Sequence, residues 1–274
     1  DAMKIGFIGA GKVGKSFAMY LTDNGFEVSG FYNRTYKTDV TCFEPLELLL
    51  QNSDIIGITV NDDQIQNVVN QITMLNYNTS NKMFFHMSGA HNSTELSRLS
   101  DNVFSLHPLK AFPTVVGSTK IFNDIFFSLE NPQPKILEWV NQLGIKYFIV
   151  PSQGKAQYHA AAAIVSNYLV SVIDFGLSQL HQMGIEPPLA QKAFWPLIVD
   201  TIANVERLGT KGALTGPIVR GDVETIKRHL EVLSDIDLPL YKALGRHTLR
   251  MTDHEGDVSE QLVDLLKEDS TWQK

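Results

Sequence analysis

A chain of 274 residues, 43% apolar and 19% charged, is long enough to bury a large core without metal or disulfide support. Its net charge of −7, with no long basic run, argues against nucleic acid and anionic membrane as partners. The single cysteine, Cys42, excludes an internal disulfide and suits a cytoplasmic location, and it reads as a core thiol rather than a metal ligand or redox group.

Met3 is the expected start of the fold, with Asp1 and Ala2 outside it. Residues 4–9 (KIGFIG) form an apolar strand that runs straight into Gly9-Ala10-Gly11-Lys12-Val13-Gly14 and a helix. This is the G-x-G-x-x-G pattern in the context that gives it meaning: after a strand, opening a helix, at the start of a βαβ unit. Gly9 permits the tight turn, Gly11 lets a pyrophosphate approach the backbone, and Gly14 lets the helix sit close to the strand. The helix N-terminus adds N–H donors and a partial positive charge. A second strand, residues 27–33, ends in Asn33-Arg34-Thr35. NAD-binding chains usually place a carboxylate here for the ribose hydroxyls. An arginine pairs instead with a 2′-phosphate, and Asn33 and Thr35 add hydrogen bonds, so NADP(H) is the expected cofactor.

A short strand near Val40–Phe43 and a helix over residues 45–52 come next. Strands over 54–60, 82–88 and 102–108 follow, with an amphipathic helix over 64–72. Their continuous apolar runs imply burial on both faces, hence a parallel, doubly wound sheet. Ligands of such sheets lie beyond the carboxyl ends of the strands. Val60 and Asn61 are therefore expected beside the cofactor, while Asp62 and Asp63 serve either a ligand or the start of the next helix. Ser88 and His107 end the two later strands, either as substrate-binding groups or as local turn and backbone partners. His86, inside a strand, reads as a core histidine. A strand, helix, strand set over 124–151 closes the first domain, residues 3–151.

Residues 152–274 read as all helix. A long helix starts near Lys155 and stops at Gly184, with Glu186-Pro187-Pro188 opening the next. Its longest apolar run, Ala160–Ile173, is broken by Ser166, Asn167 and Ser171, so no membrane span or signal peptide is expected. At α-helical spacing, Lys155, His159, Ala163 and Asn167 run down one side, where four alanines leave either a close-packing surface or room for a flat ligand. Further on, Arg220 is a candidate carboxylate clamp, and Asp222 reads as the cap of the helix that follows.

The motifs FIGAGKVG, FYNRT, HMSGA, SLHPLKAF, KAQYHAAAAIVSN and LTGPIVRGD together span nearly the whole chain. In them the sequence resembles a bacterial family of NADP-dependent oxidoreductases. That family joins a Rossmann-like domain to a helical domain of formerly unknown function, of the 6-phosphogluconate-dehydrogenase C-terminal type. Some members look like an alternative form of ketopantoate reductase. Standard ketopantoate reductases place a lysine on the long helix with asparagines one and two turns on. The corresponding positions here are His159, Ala163 and Asn167, with Lys155 one turn earlier.

The leading expectation is an NADPH-dependent reductase of a small keto acid, with 2-dehydropantoate first. His159 is the expected proton donor and Lys155 its rival; Asn167 orients the substrate or the carboxamide, and Ser88, His107 and Arg220 hold the substrate. An imine reductase similar to pyrroline-5-carboxylate reductase is the second reading, and an NADP-binding sensor without turnover the third. A homodimer is expected from the helical domain.

Overall fold

The computed structural model describes residues 2–35 and 37–269. The chain divides into two compact units, 1–172 and 173–274.

The first unit is built on a seven-stranded sheet of order β2-β1-β3-β4-β5-β6-β7. The strands are β1 (Lys4–Ile8), β2 (Glu27–Tyr32), β3 (Ile55–Ile58), β4 (Met83–His86), β5 (Asn102–Pro108), β6 (Phe126–Glu130) and β7 (Lys146–Val150). The helices are α1 (Lys12–Asp23), α2 (Leu46–Gln51), α3 (Ile65–Met74), α4 (Ile121–Asp124) and α5 (Pro134–Gln142).

Alternate side chains of the central strands feed two separate cores. Met83 and Phe85 join Phe17, Tyr20 and Trp139 of α1 and α5 on one side. Phe84, between them, joins Leu49, Val69 and Ile72 of α2 and α3 on the other. A strand buried on both faces has no room for polar alternation, which is why these segments read as unbroken apolar runs.

Two sequence expectations need correction. The sheet is not wholly parallel, because β6 runs antiparallel to β5 while β7 is parallel to β6. The segment joining β5 to β6 contains only the four-residue α4, so no crossover helix carries the chain back to restart in the same direction. The short strand expected at 40–43 is a single bridge between Phe31 and Cys42.

After β7, helix α6 (Lys155–Ala163) runs into a π-helical turn, Ile164–Tyr168, and then α7 (Leu169–Gln182). Each π turn holds more residues than an α turn. The α-helical spacing used to place His159 and Asn167 on one side therefore does not carry through this segment. By length and composition alone the helix Ser152–Gln182 is long and apolar enough to cross a membrane, and the apolar 18-residue window within it is not buried in the structure.

In the second unit, α8 (Pro187–Ala213) opens with proline and is interrupted at Gly209, whose φ of 75° is non-helical. It is followed by α9 (Pro217–Arg220), α10 (Val223–Val232), α11 (Leu238–Arg250) and α12 (Gly256–Leu266). Ile218, Val223, Ile226, Leu262 and Leu266 form its core. Among the described residues no strand follows Val150, as expected.

Candidate active site

The glycine loop lies between the end of β1 and α1. Gly9 has φ +102°, and an added Cβ would come within 2.8 Å of the Thr59 backbone. A Cβ on Gly14 would come within 2.3 Å of Thr59 Oγ1 and 2.9 Å of Gly9 O. Thr59 Oγ1 donates to Gly9 O at 2.8 Å and fixes the loop from the neighbouring strand. Gly11 caps α1, and its missing Cβ would have nothing closer than 3.9 Å. The loop is thus closed where it packs and open where a pyrophosphate would approach, at a helix start with no acidic residue in its first turn. These residues fit a dinucleotide.

Two clefts meet at this loop and share Gly11, Thr59, Val60 and Asn61. One, about 680 Å³, includes Gly9, Ala10, Asn33, Arg34, Asn67 and Gln71 in its lining. The other, about 570 Å³, includes Lys12, Val13, Asp62, Met87 and Ser88. Asn33 accepts from Ala10 N–H at 2.9 Å and donates to Thr35 O at 2.6 Å. Its side chain braces the glycine loop, and Arg34 is the charged group at that end of the cleft.

Ser88 lies at the C-terminal edge of the sheet. Its hydroxyl donates to Asp62 Oδ2 at 2.8 Å and accepts from the N–H groups of Ala90 and His91 at 3.1 and 3.0 Å. A hydroxyl has one donor and two acceptor positions. All are occupied, so Ser88 binds a substrate only by giving one up. Asp62 begins a short 3-10 turn, as one of its two expected readings has it, and its side chain also lines the cleft. His86 is fully buried; it accepts from Ser88 N–H at Nδ1 and therefore donates from Nε2 to Asn92 O. Burial lowers its pKa, and it is the satisfied core histidine expected.

Lys155, at the start of α6, is 2% exposed. Its ammonium donates to Ser88 O at 2.9 Å and to Ser105 Oγ at 3.0 Å. Burial lowers its pKa to about 8, against the opposing pull of Glu130 and Asp62. Glu130 is itself sealed on β6, where it accepts from Ser93 N–H at 2.8 Å and from the Ser93 hydroxyl. His107, at the end of β5, lies 2.7 Å from Tyr158 Oη through Nδ1. Burial, helped by the charges of Lys155 and His159, pulls His107 down to about 4, so it is neutral at pH 7. His159 is exposed but close enough to act on His107. Asn167 is exposed within the π turn.

The structure thus brings Ser88, His107, Lys155 and His159 into one electrostatic neighbourhood. Arg220 lies on the second unit, exposed, with Asp222 Oδ2 4.0 Å away. Asp222 caps α10 through Thr225 N–H at 3.1 Å, as its place in the sequence suggests. Sequence reasoning missed Ser105, Glu130 and Tyr158. Tyr158 alone left a local signal, since it falls three residues after Lys155, on the same side of the helix.

Residues 4–103 match the NAD binding domain of 6-phosphogluconate dehydrogenase, and residues 128–248 match a domain of unknown function, DUF2520. No curated protein sequence matches the chain. Among solved structures, protein TM1727 from Thermotoga maritima is 20% identical, with a TM-score of 0.64 over 96% of this chain and 98% of that one. A pyrroline carboxylate reductase from Plasmodium falciparum, solved with NADP bound, is 16% identical, with a TM-score of 0.56 over 96% and 95%. An imine reductase from Streptomyces aurantiacus is 16% identical, with a TM-score of 0.58 over 97% and 100%. With its glycine loop and strand-end clefts, the chain carries an NAD-binding domain of the 6-phosphogluconate dehydrogenase type followed by a region that matches a domain of unknown function, and it shares the Rossmann-like fold of these NADP-binding oxidoreductases.

Proposed function

We propose that the protein is an NADP(H)-dependent reductase of a small 2-keto acid, with 2-dehydropantoate placed first. The observation that carries this reading is the buried ammonium of Lys155 at the carboxyl edge of the sheet, with a pKa of about 8. Bound along the glycine loop, the nicotinamide supplies hydride. Reduction of a carbonyl leaves an alkoxide that needs a proton and a positive field. An ammonium of pKa near 8 is protonated at neutral pH and gives up its proton readily. We therefore assign proton donation to Lys155 in preference to His159, whose side chain is exposed. His107 faces the substrate as a neutral group, and Asn167 stays a candidate for orienting it.

Pyrroline carboxylate reductase and imine reductase share the fold and make C=N reduction the second reading. An iminium arrives already protonated and is repelled by a buried cation, so Lys155 favours the carbonyl. The test is NADPH oxidation, followed at the nicotinamide absorbance, with a panel of 2-keto acids beside 1-pyrroline-5-carboxylate. Turnover of the imine alone would overturn the keto-acid reading, and turnover of neither would favour the sensor.

Arg34 supports the phosphorylated cofactor, as a guanidinium pairs bidentately with a 2′-phosphate. Arg34→Ala is expected to weaken NADPH binding about tenfold or more and to leave NADH nearly unchanged, as read by fluorescence titration. Equal weakening of both would remove Arg34 from phosphate recognition.

We also propose a homodimer, in the cytoplasm. The helices display large apolar residues: Val165, Tyr168 and Val170 in the first unit, and Leu189, Trp195 and Leu197 in the second. Such a surface calls for a partner. The charged Lys192, Asp200 and Glu206 on α8 suit a second copy of the chain better than a bilayer. Sedimentation should give twice the chain mass of 30.6 kDa, and a monomer that requires no detergent would contradict the proposal.

A further inference from the structure

The connection from β5 to α4, residues 109–120, is a strap tied at three places. Leu109 N–H donates to Phe126 O at 2.9 Å, Val116 N–H to Ser16 Oγ at 3.1 Å, and Thr119 Oγ1 to Asp23 Oδ2 at 2.6 Å. Ser16 is fully buried and donates in turn to Lys12 O at 2.5 Å, so the strap is fastened to the first turn of α1, beside the glycine loop. Among the described residues, 111–115 make no hydrogen bond. The Phe112 ring pins this stretch instead. It stacks on Phe122 of α4 with 5.8 Å between centroids and 23° between planes, and Phe122 is fully buried.

Phe112 also reaches the site. It is the aromatic residue lining the 570 Å³ cleft, whose wall is apolar at Val13, Ile65, Met87 and Phe112 and polar at Asp62 and Ser88. A cleft of this kind suits a small molecule with an alkyl end and a polar end. Folded into the strap is a further hollow of about 330 Å³, lined in part by Lys110, Pro113, Gly117 and Ile121. The two spaces have one lining residue in common, Phe112.

We propose that Phe112 is the size filter of this site: its ring closes the cleft against the hollow in the strap and limits the substrate to a short or branched alkyl group. The ring is fixed by the stack on Phe122 rather than by hydrogen bonds, so its bulk sets the depth of the cleft. An apolar pocket discriminates by what it can enclose, and each methylene that does not fit costs about tenfold or more in kcat/KM. The proposal rests on the reductase reading and deepens it, by stating which keto acids the cleft admits.

The experiment measures kcat/KM of the full-length protein over 2-keto acids from pyruvate to phenylpyruvate, and over cyclic imines from 1-pyrroline to dihydroisoquinoline. Wild type should reduce the small members of its series and reject the aromatic ones. Phe112→Ala should raise the ratio of phenylpyruvate to pyruvate about tenfold or more, with NADPH affinity by fluorescence titration within about twofold of wild type. A gain on the larger substrate cannot come from misfolding. Phe112→Trp should move the ratio the other way, which a merely loosened strap would not do. Keto acids reduced with the same size preference in wild type and Phe112→Ala would overturn the filter and leave the reductase reading standing. So would a wild type that already accepts phenylpyruvate, or a loss of NADPH binding in Phe112→Ala with the ratio unchanged, which would place the ring on the cofactor. Imines reduced alone, with the expected shift toward dihydroisoquinoline in Phe112→Ala, would overturn the keto-acid reading and uphold the filter. Turnover of neither series would overturn both.

Discussion

Replacing Lys155 with methionine is expected to lower kcat about a thousandfold while NADPH binding stays close to wild type. The lysine stem is buried and methionine fills much the same space, so the fold should survive. Ser105 Oγ keeps a partner without the ammonium, because it already donates to Ser88 O at 3.2 Å. The wild-type pH profile should carry the same signature. Lys155 donates only while protonated, so kcat should hold below its pKa of about 8 and fall about tenfold per pH unit above it. Stability should respond in the opposite sense. Burial lowers this pKa from 10.5, so between about 8 and 10.5 the unfolded chain binds more protons than the folded one. The Lys155 contribution to stability therefore rises with pH through that window, whereas below it the cost of holding a buried charge is fully present. Urea unfolding of wild type against Lys155→Met, at neutral pH and near pH 10, measures the difference. A profile that stays flat to pH 10 and survives in the methionine variant would take Lys155 out of the chemistry.

Gly9→Ala should abolish measurable NADPH binding, with a loss of about a hundredfold or more, and destabilise the first unit by about 2–3 kcal/mol. Two costs combine here. The backbone at Gly9 is left-handed, with φ +102°, and the new methyl would collide with the Thr59 main chain, which cannot swing aside as a side chain would. Gly25→Ala is the control, since it shares a positive φ of +82° but has open space around it. It should lose only the conformational cost and bind NADPH normally. Equal binding by both variants would mean that the loop is a structural turn and nothing more.

The cofactor loop was legible in the sequence because its constraints are local. A turn that needs positive φ at Gly9, and a helix that must approach Thr59 at Gly14, admit few residue types. Most of the strands were legible for a similar reason: burial on both faces removes the polar alternation that would otherwise mark them. The reversal at β6 was not, because pairing direction depends on where a distant connection returns the chain, and DIFFSLEN reads the same either way. Residues 164–168 carry no mark of a π turn, and assuming regular α spacing there placed Asn167 on a stripe with His159.

Within the site, residue type pointed to the right strand ends but not to which groups are free. Ser88 reads as an open hydroxyl, and only the fold shows its three positions filled by Asp62, Ala90 and His91. Lys155 and His159 were both visible as candidates. Burial separates them, and burial comes from strands β4 to β6, far away along the chain. Glu130 and Ser128 looked like ordinary strand residues, since nothing near them in sequence records that a helix more than twenty residues on supplies their neighbours.

The most direct measurement is a crystal structure of the full chain with NADPH bound. The account predicts the pyrophosphate on the backbone of Gly9 to Gly14, the 2′-phosphate at Arg34, and the nicotinamide in the cleft lined by Asp62, Met87 and Ser88, on the side where Lys155 and His107 lie. A nicotinamide seated elsewhere, with Lys155 still sealed between Ser88 and Ser105 and out of reach of the ring and any bound keto acid, would contradict it.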